Sequence, residues 1–253
     1  MVIVISLFAM LMTGCSIKED RSECPCRLVL DFSAVDTVNI KSLSVYAMSE
    51  GEIVFSDVIF ASDFDHLYER DVPRCSLYVN VWSGDEGRAN RKGVVIPFGC
   101  ECPPIYMSSF VADATGEICR KRIVVHKNHC RLTVKVEGAS HIPYSLTFYG
   151  NIDGYSLDGN PSSGDFSCVA YPDEKGGAQA LLPRQLDSSL LMEVDDGLSG
   201  SKAFAIGQYI TSSGYDWTTD SLEDITVILD YYVTYVQVLI QRWDNEYLYN
   251  ITL

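Results

Sequence analysis

Positive charge is scarce in this sequence: Lys and Arg number 19 against 34 Asp and Glu over 253 residues, a formal net charge of −15. Such a chain repels phosphates rather than neutralising them, which argues against nucleic acid as a partner and against an anionic membrane surface as a protein-wide one. The acidic residues are spread through the chain rather than gathered in a tail, the pattern of a solvated acidic surface. Histidine is rarer still, at four residues. No Gly-x-Ser-x-Gly elbow marks a nucleophile, and neither a glycine-rich phosphate loop nor a His-Glu-x-x-His helix occurs. Redox catalysis lacks a Cys-x-x-Cys pair. Together these absences predict a protein that is not an enzyme and carries no cofactor. Paired carboxylates exist in any chain this acidic, so their presence has little force. No apolar run reaches the roughly 20 residues of a membrane-spanning helix. No segment sustains a 3.6-residue period either, although Leu181 to Met192 suggests a turn or two of helix.

The first fourteen residues, MVIVISLFAMLMTG, contain no charge and no proline and stop at Cys15. Their length suits the apolar core of a secretory signal. Leu11-Met-Thr-Gly14 before the cysteine resembles a lipobox, the small-residue site where a signal peptidase cuts once the thiol is acylated. Met12 stands where Leu is usual, and no basic residue precedes the run, which predicts a true start a few residues upstream. A buried strand with an ordinary cysteine would not explain the charged text that follows at once. Residues 1–14 are therefore read as a lipoprotein signal peptide, Cys15 as the lipid attachment residue and residues 15–26 as a tether. Each buried acyl methylene contributes about 0.8 kcal/mol, so two chains suffice for stable anchoring. Lys18, Glu19 and Asp20 resemble the Lys-acidic-acidic signal that sends Bacteroidota lipoproteins to the outer face of the outer membrane.

Eight cysteines remain: Cys24, Cys26, Cys75, Cys100, Cys102, Cys119, Cys130 and Cys168. An even number in an exported chain predicts disulfides, with a pairing that sequence does not choose. Cys24-Pro-Cys26 and Cys100-Glu-Cys102 are Cys-x-Cys pairs, whose members point the same way in a strand and bond elsewhere, so cross-links between the two pairs are expected. Zinc needs ligand pairs spaced by two to four residues, and that spacing is absent. His126 and His129 flank Cys130 but lead into alternating strand text, so they read as ordinary turn or surface histidines and no metal site is predicted.

Short alternating segments recur: residues 27–33, 42–48, 52–55, 76–82, 93–98 and 122–126 all read as strands separated by Gly, Asp, Asn or Pro. Cys130-Arg-Leu-Thr-Val-Lys-Val-Glu137 then repeats the cysteine-led opening of residues 26–33. This echo predicts an N-terminal β domain over residues 27–129 and a C-terminal one over residues 130–253. Gly150-Asn-Ile-Asp-Gly-Tyr-Ser-Leu-Asp-Gly-Asn-Pro161 is rich in turn formers. Asp153 and Asp158 invite comparison with a calcium loop, but Pro161 and the serines beyond it break the ligand pattern, so a turn-rich loop is expected. Strands close the chain at residues 224–230, 233–243 and 247–253. The class is mainly β.

The tether Cys15-Ser-Ile-Lys-Glu-Asp-Arg-Ser-Glu-Cys-Pro25, the strand at Leu28 to Phe32, the restart at Cys130 to Gly138, the Gly150 to Gly159 segment and the Trp243 to Leu253 ending occur in an order that resembles the fimbrial anchor lipoproteins of Bacteroidota, the fimbrillin-associated minor-fimbria anchor family. The resemblance implies two tandem transthyretin-like β-sandwich domains held at the outer membrane, surface-exposed, retaining the base of a fimbria and limiting its length. It also implies fimbrillin-type subunits as partners, joined by strand exchange, a form of β-augmentation. Tyr247, Tyr249, Ile251 and Leu253, alternating on the terminal segment, are the candidate exchange positions, although the same pattern fits a strand completing its own sheet. Arg120-Lys-Arg122 reads as a solvated connector near the domain boundary. The competing reading is a surface glycan-binding lipoprotein of a polysaccharide uptake system, which requires Trp82, Trp217, Trp243 or some of the 15 tyrosines to be exposed.

Overall fold

The computed structural model describes residues 24–83, 89–90, 93–137, 144–174, 176–195, 197, 200–230, 235–241 and 246–252. Strands dominate it. In chain order they begin with β1 (Cys26–Asp31), β2 (Ser42–Ser49), β3 (Glu52–Phe60), β4 (Leu67–Val72), β5 (Ser76–Trp82), β6 (Ala89–Asn90), β7 (Gly93–Val95), β8 (Tyr106–Asp113), β9 (Ile118–Arg122) and β10 (His126–Lys127). They continue with β11 (His129–Glu137), β12 (Ser145–Tyr155), β13 (Pro161–Ala170), β14 (Gly177–Pro183), β15 (Leu191–Asp195), β16 (Ser201–Phe204), the helix α1 (Ile206–Ser212), β17 (Asp224–Asp230), β18 (Tyr235–Gln241) and β19 (Glu246–Thr252).

Alternation dictates which side chains turn inward. Leu28 and Leu30 of β1, Leu43 and Val45 of β2, and Leu77 and Val79 of β5 are fully buried and share one core. That core lies between a sheet ordered β4-β1-β9 and a sheet ordered β10-β8-β5-β2-β3. A second core gathers Leu132 and Val134 of β11, Phe148 of β12, Phe166 of β13, Leu182 of β14 and Val227 of β17. Its sheets are ordered β14-β11-β17-β18-β19 and β16-β15-β12-β7-β6, with β13 paired to β12.

The two halves repeat one connectivity. β1 pairs antiparallel with β4 and parallel with β9, as β11 pairs antiparallel with β14 and parallel with β17. β2 lies between its hairpin partner β3 and β5, as β12 lies between β13 and β15. The cysteine-led echo in the sequence is thus the first strand of each repeat.

The division is less clean than a boundary at residue 130. β7 pairs with β12 through Gly154↔Val95 and Tyr155↔Val94, and Trp82, Val94, Ile96, Cys102, Ile105 and Met107 all pack in the second core. Close crossing of the two backbones requires glycine: a Cβ on Gly154 would sit 2.0 Å from the Val94 carbonyl oxygen.

Other expectations need correcting. Residues 122–126 do not form a strand; β9 ends at Arg122, and Ile123 is a fully buried residue whose N–H donates to the Asp31 carbonyl at 2.8 Å. Leu181 to Met192 is not helical, because Leu181 to Pro183 end β14 and Leu191 and Met192 begin β15. The helix falls instead at α1, which buries Ile206, Gly207 and Ile210 and is too short for a period to show in sequence. Gly150 to Tyr155 is strand rather than loop, irregular at Gly150/Ile152 and Ile152/Gly154.

The cysteines also depart from expectation. All eight from Cys24 onward are free thiols. Of the two Cys-x-Cys pairs, Cys26 is carried by β1 into the first core, whereas Cys102 is held in the second by its N–H to the Leu181 carbonyl at 3.1 Å, so these two do not meet. Cys26, Cys75 and Cys119 share the first core, and Cys102, Cys130 and Cys168 the second.

Candidate assembly surfaces

Three places bear on a structural role: the junction between the halves, the start of β1, and the last strand. The junction is built by the tight turn between β12 and β13. Ser156 N–H donates to Asn160 O at 2.9 Å, and Gly159 N–H returns to Ser156 O at 2.9 Å. Within the turn, Asp158 accepts hydrogen bonds from the Ser156 hydroxyl and the Asn160 amide, and these hold its carboxyl below the usual range.

This turn docks on the first half. Tyr78 Oη donates to the Asp158 carbonyl at 2.8 Å, and the Asn80 side-chain amide donates to the Leu157 carbonyl. Asn80 is 1% exposed although it sits on the strand face opposite Val79 and Val81. Gly159, at φ +81°, lies so close that a Cβ would approach Ser109 Oγ to 2.5 Å. Of the two aspartates compared with a calcium loop, Asp153 therefore lies in β12 and Asp158 in a docking turn.

Beside it, Arg184 ties three segments together. Its Nε donates to Asn128 Oδ1 at 3.1 Å, and its two terminal nitrogens donate to the carbonyls of Trp217 and Asp220. Its backbone N–H donates to the Tyr155 hydroxyl at 3.0 Å, and that hydroxyl donates in turn to Asn128 O at 2.5 Å. Lys127 forms an ion pair with Asp224, which also accepts the Arg131 N–H at 2.9 Å. A cleft of about 380 Å³ lies between these groups, lined in part by Ser108, Ser109, His126, Asn128, Arg184 and Asp220. Burial lowers the Arg184 pKa, yet every guanidinium nitrogen is engaged by an internal acceptor, so the group serves the joint.

The residues weighed for chemistry are packed away. His129 is 3% exposed, has Nδ1 3.0 Å from the Ile105 carbonyl and meets the Tyr106 ring edge-on. Burial drives its pKa down to about 4. Burial likewise pushes the Cys130 and Cys168 thiols up to about 12, far from a reactive thiolate. Trp82 and Trp217 are 0% and 6% exposed, core residues rather than a stacking platform. Trp243 lies outside the described residues. Exposed rings occur at Phe60, Phe98 and Tyr171.

At the start of the described chain, Cys24 and Pro25 lead directly into β1, the middle strand of its sheet. Cys15, Lys18, Glu19 and Asp20 lie outside the described residues. At the far end, β19 is the last strand of its sheet, antiparallel to β18 with Tyr247↔Ile240, Tyr249↔Val238 and Ile251↔Val236 in register. Leu253 lies outside the described residues. Sequence reasoning singled out both ends but missed Tyr78, Asn80, Ser109 and Arg184. Only Asn80, a polar residue inside the apolar run Leu77 to Trp82, left a signal.

No known family profile and no curated protein sequence matches the chain. Solved structures do. A protein from Bacteroides thetaiotaomicron described as polysaccharide binding superposes with a TM-score of 0.65 at 12% identity, covering 90% of this chain and 98% of that one. A Bacteroides thetaiotaomicron protein described as an adhesin gives a TM-score of 0.56 at 13% identity, covering 87% and 97%. The chain also shares its fold, nearly end to end, with the fimbrial anchor protein Mfa2 from Porphyromonas gingivalis, at a TM-score of 0.62 and 15% identity over 87% of this chain and 98% of that one.

Proposed function

We propose that this chain is a structural lipoprotein of a bacterial surface fimbria, tethered through Cys15 to the outer membrane, which holds the base of the fimbria and limits its length. The observation that carries this reading is the likeness to the fimbrial anchor protein, which runs through both halves and leaves only 2% of that protein uncovered. The sequence adds a lipobox-like start that leads, by a short charged tether, into β1. The two halves are read as tandem transthyretin-like sandwiches. The partners are fimbrillin-type subunits, which complete a sheet with this chain by β-augmentation, with Tyr247 to Leu253 as the exchanged segment.

Deleting the gene and imaging cells and medium tests the role. Fimbriae should be shed or altered in length; fimbriae that stay attached at unchanged length would overturn it.

A second reading has one observation in its favour, the superposition on a protein described as polysaccharide binding. It requires exposed stacking rings, and the buried Trp82 and Trp217 supply none. Retardation of the purified protein in polysaccharide-containing gels would support this second reading over the first.

A further inference from the structure

The internal repeat exposes a difference between equivalent edges. β17 runs parallel to the first strand of its half, and its outer flank is covered by β18, antiparallel from Asp224↔Gln241 to Asp230↔Tyr235. β9 runs parallel to β1 and holds the same place in the first half, yet among the described residues it pairs with β1 alone. Its outer backbone N–H and C=O groups form an open template for another strand.

The two edges also differ in charge. β17 reads Asp-Ile-Thr-Val-Ile-Leu-Asp, whereas β9 reads Ile-Cys-Arg-Lys-Arg. Cys119 and Lys121 stand opposite Leu28 and Leu30, so they face the core side, where Lys121 Nζ lies 5.3 Å from the Phe110 ring centroid. Arg120 and Arg122 face outward. None of the three cations forms an ion pair among the described residues. A neighbouring strand carrying an apolar or basic residue beside Lys121 would bury an unpaired ammonium group, whereas a carboxylate there would neutralise it.

We propose that the outer edge of β9 accepts an extended acidic segment of a fimbrial subunit, antiparallel, in the manner that β18 covers β17. This rests on the fimbrial reading and adds to it a place of contact and a charge. Lys121 selects: it rejects uncharged and basic strands and pairs with acidic ones.

The test uses the full-length lipoprotein in detergent and synthetic strands of about six residues, one alternating valine with glutamate and one alternating valine with lysine. Amide hydrogen exchange should slow at Ile118 to Arg122 with the glutamate strand only. Lys121→Glu should lower the affinity for that strand by at least about tenfold and transfer the preference to the lysine strand. Equal protection by both strands, protection confined to β4 or β19, or no protection would each overturn the proposal. Lys121→Thr should lose the preference for the glutamate strand, and a Lys121→Thr variant that keeps it would overturn the selecting role of Lys121. Cells expressing Lys121→Glu separate this proposal from the anchor role. Their fimbriae should detach, and fimbriae that stay attached would refute the β9 edge while leaving the role of Cys15 intact.

Discussion

His129 shows how much one buried side chain fixes. Its ordinary pKa of 6.5 falls to about 4 in the folded protein, chiefly through burial. Above pH 6.5 the ring is neutral in both states and costs nothing. As pH falls from 6.5 toward 4, the unfolded chain takes up a proton that the folded one refuses, so stability drops by roughly 3 kcal/mol in all. Urea unfolding at stepped pH should show this loss in that window, whose upper part lies above the range where carboxylates titrate. A His129→Gln variant should flatten the window, and an unchanged profile would sink the assignment. Gly159 is the second such residue. Gly159→Val must clear Ser109 Oγ and adopt a left-handed φ, so it should cost about 1–3 kcal/mol and loosen the turn from Tyr78 and Asn80. Arg184→Lys keeps the charge but cannot reach Asn128, Trp217 and Asp220 together, and a loss of about 1–3 kcal/mol is expected in thermal or urea unfolding. Full stability in that variant would show that the joint does not depend on the fork of the guanidinium.

The elements were legible where one face is buried and the other is wet. β11 and β17 alternate cleanly, β2 and β5 alternate in sequence although Ser44, Asn80 and Trp82 are buried on the second face, and the text places all four within a residue or two. β4 and β9 were not, because edge strands exposed on most positions lose the alternation that marks a strand, and Arg120-Lys-Arg122 accordingly passed for a connector. The irregular end of β12 hid behind Gly150, Gly154 and Asp-Gly turn text, since the glycine there serves a backbone crossing that sequence does not display. Both halves of the repeat could be glimpsed in their cysteine-led first strands, but not the loan of β7 from one half to the other's sheet. The terminal segment was legible as a strand, and its place at the sheet edge followed only from the register with β18. Removing residues 246–253 should therefore leave both cores folded by circular dichroism while abolishing strand exchange through this terminal segment. Collapse of the fold would mean that β19 completes a sheet the protein cannot spare.

At the scale of the molecule, Cys15→Ala should leave the protein folded and move it, with any attached fimbria, from the membrane fraction to the medium; retention in the membrane would refute the tether. What a pull from the N-terminal side would load also matters. β1 is hydrogen-bonded on both flanks, to β4 and to β9. Tension applied through Cys26 runs along the strand axis, across two ladders whose hydrogen bonds lie transverse to it, so the whole ladder must shear before any residue escapes. β19, paired on one flank among the described residues, can instead be peeled one residue at a time when drawn sideways. The fold should thus behave as a fastener that grips at its N-terminal end and opens at the other, and pulling single molecules between residue 15 and the C terminus should release the terminal hairpin at lower force than β1.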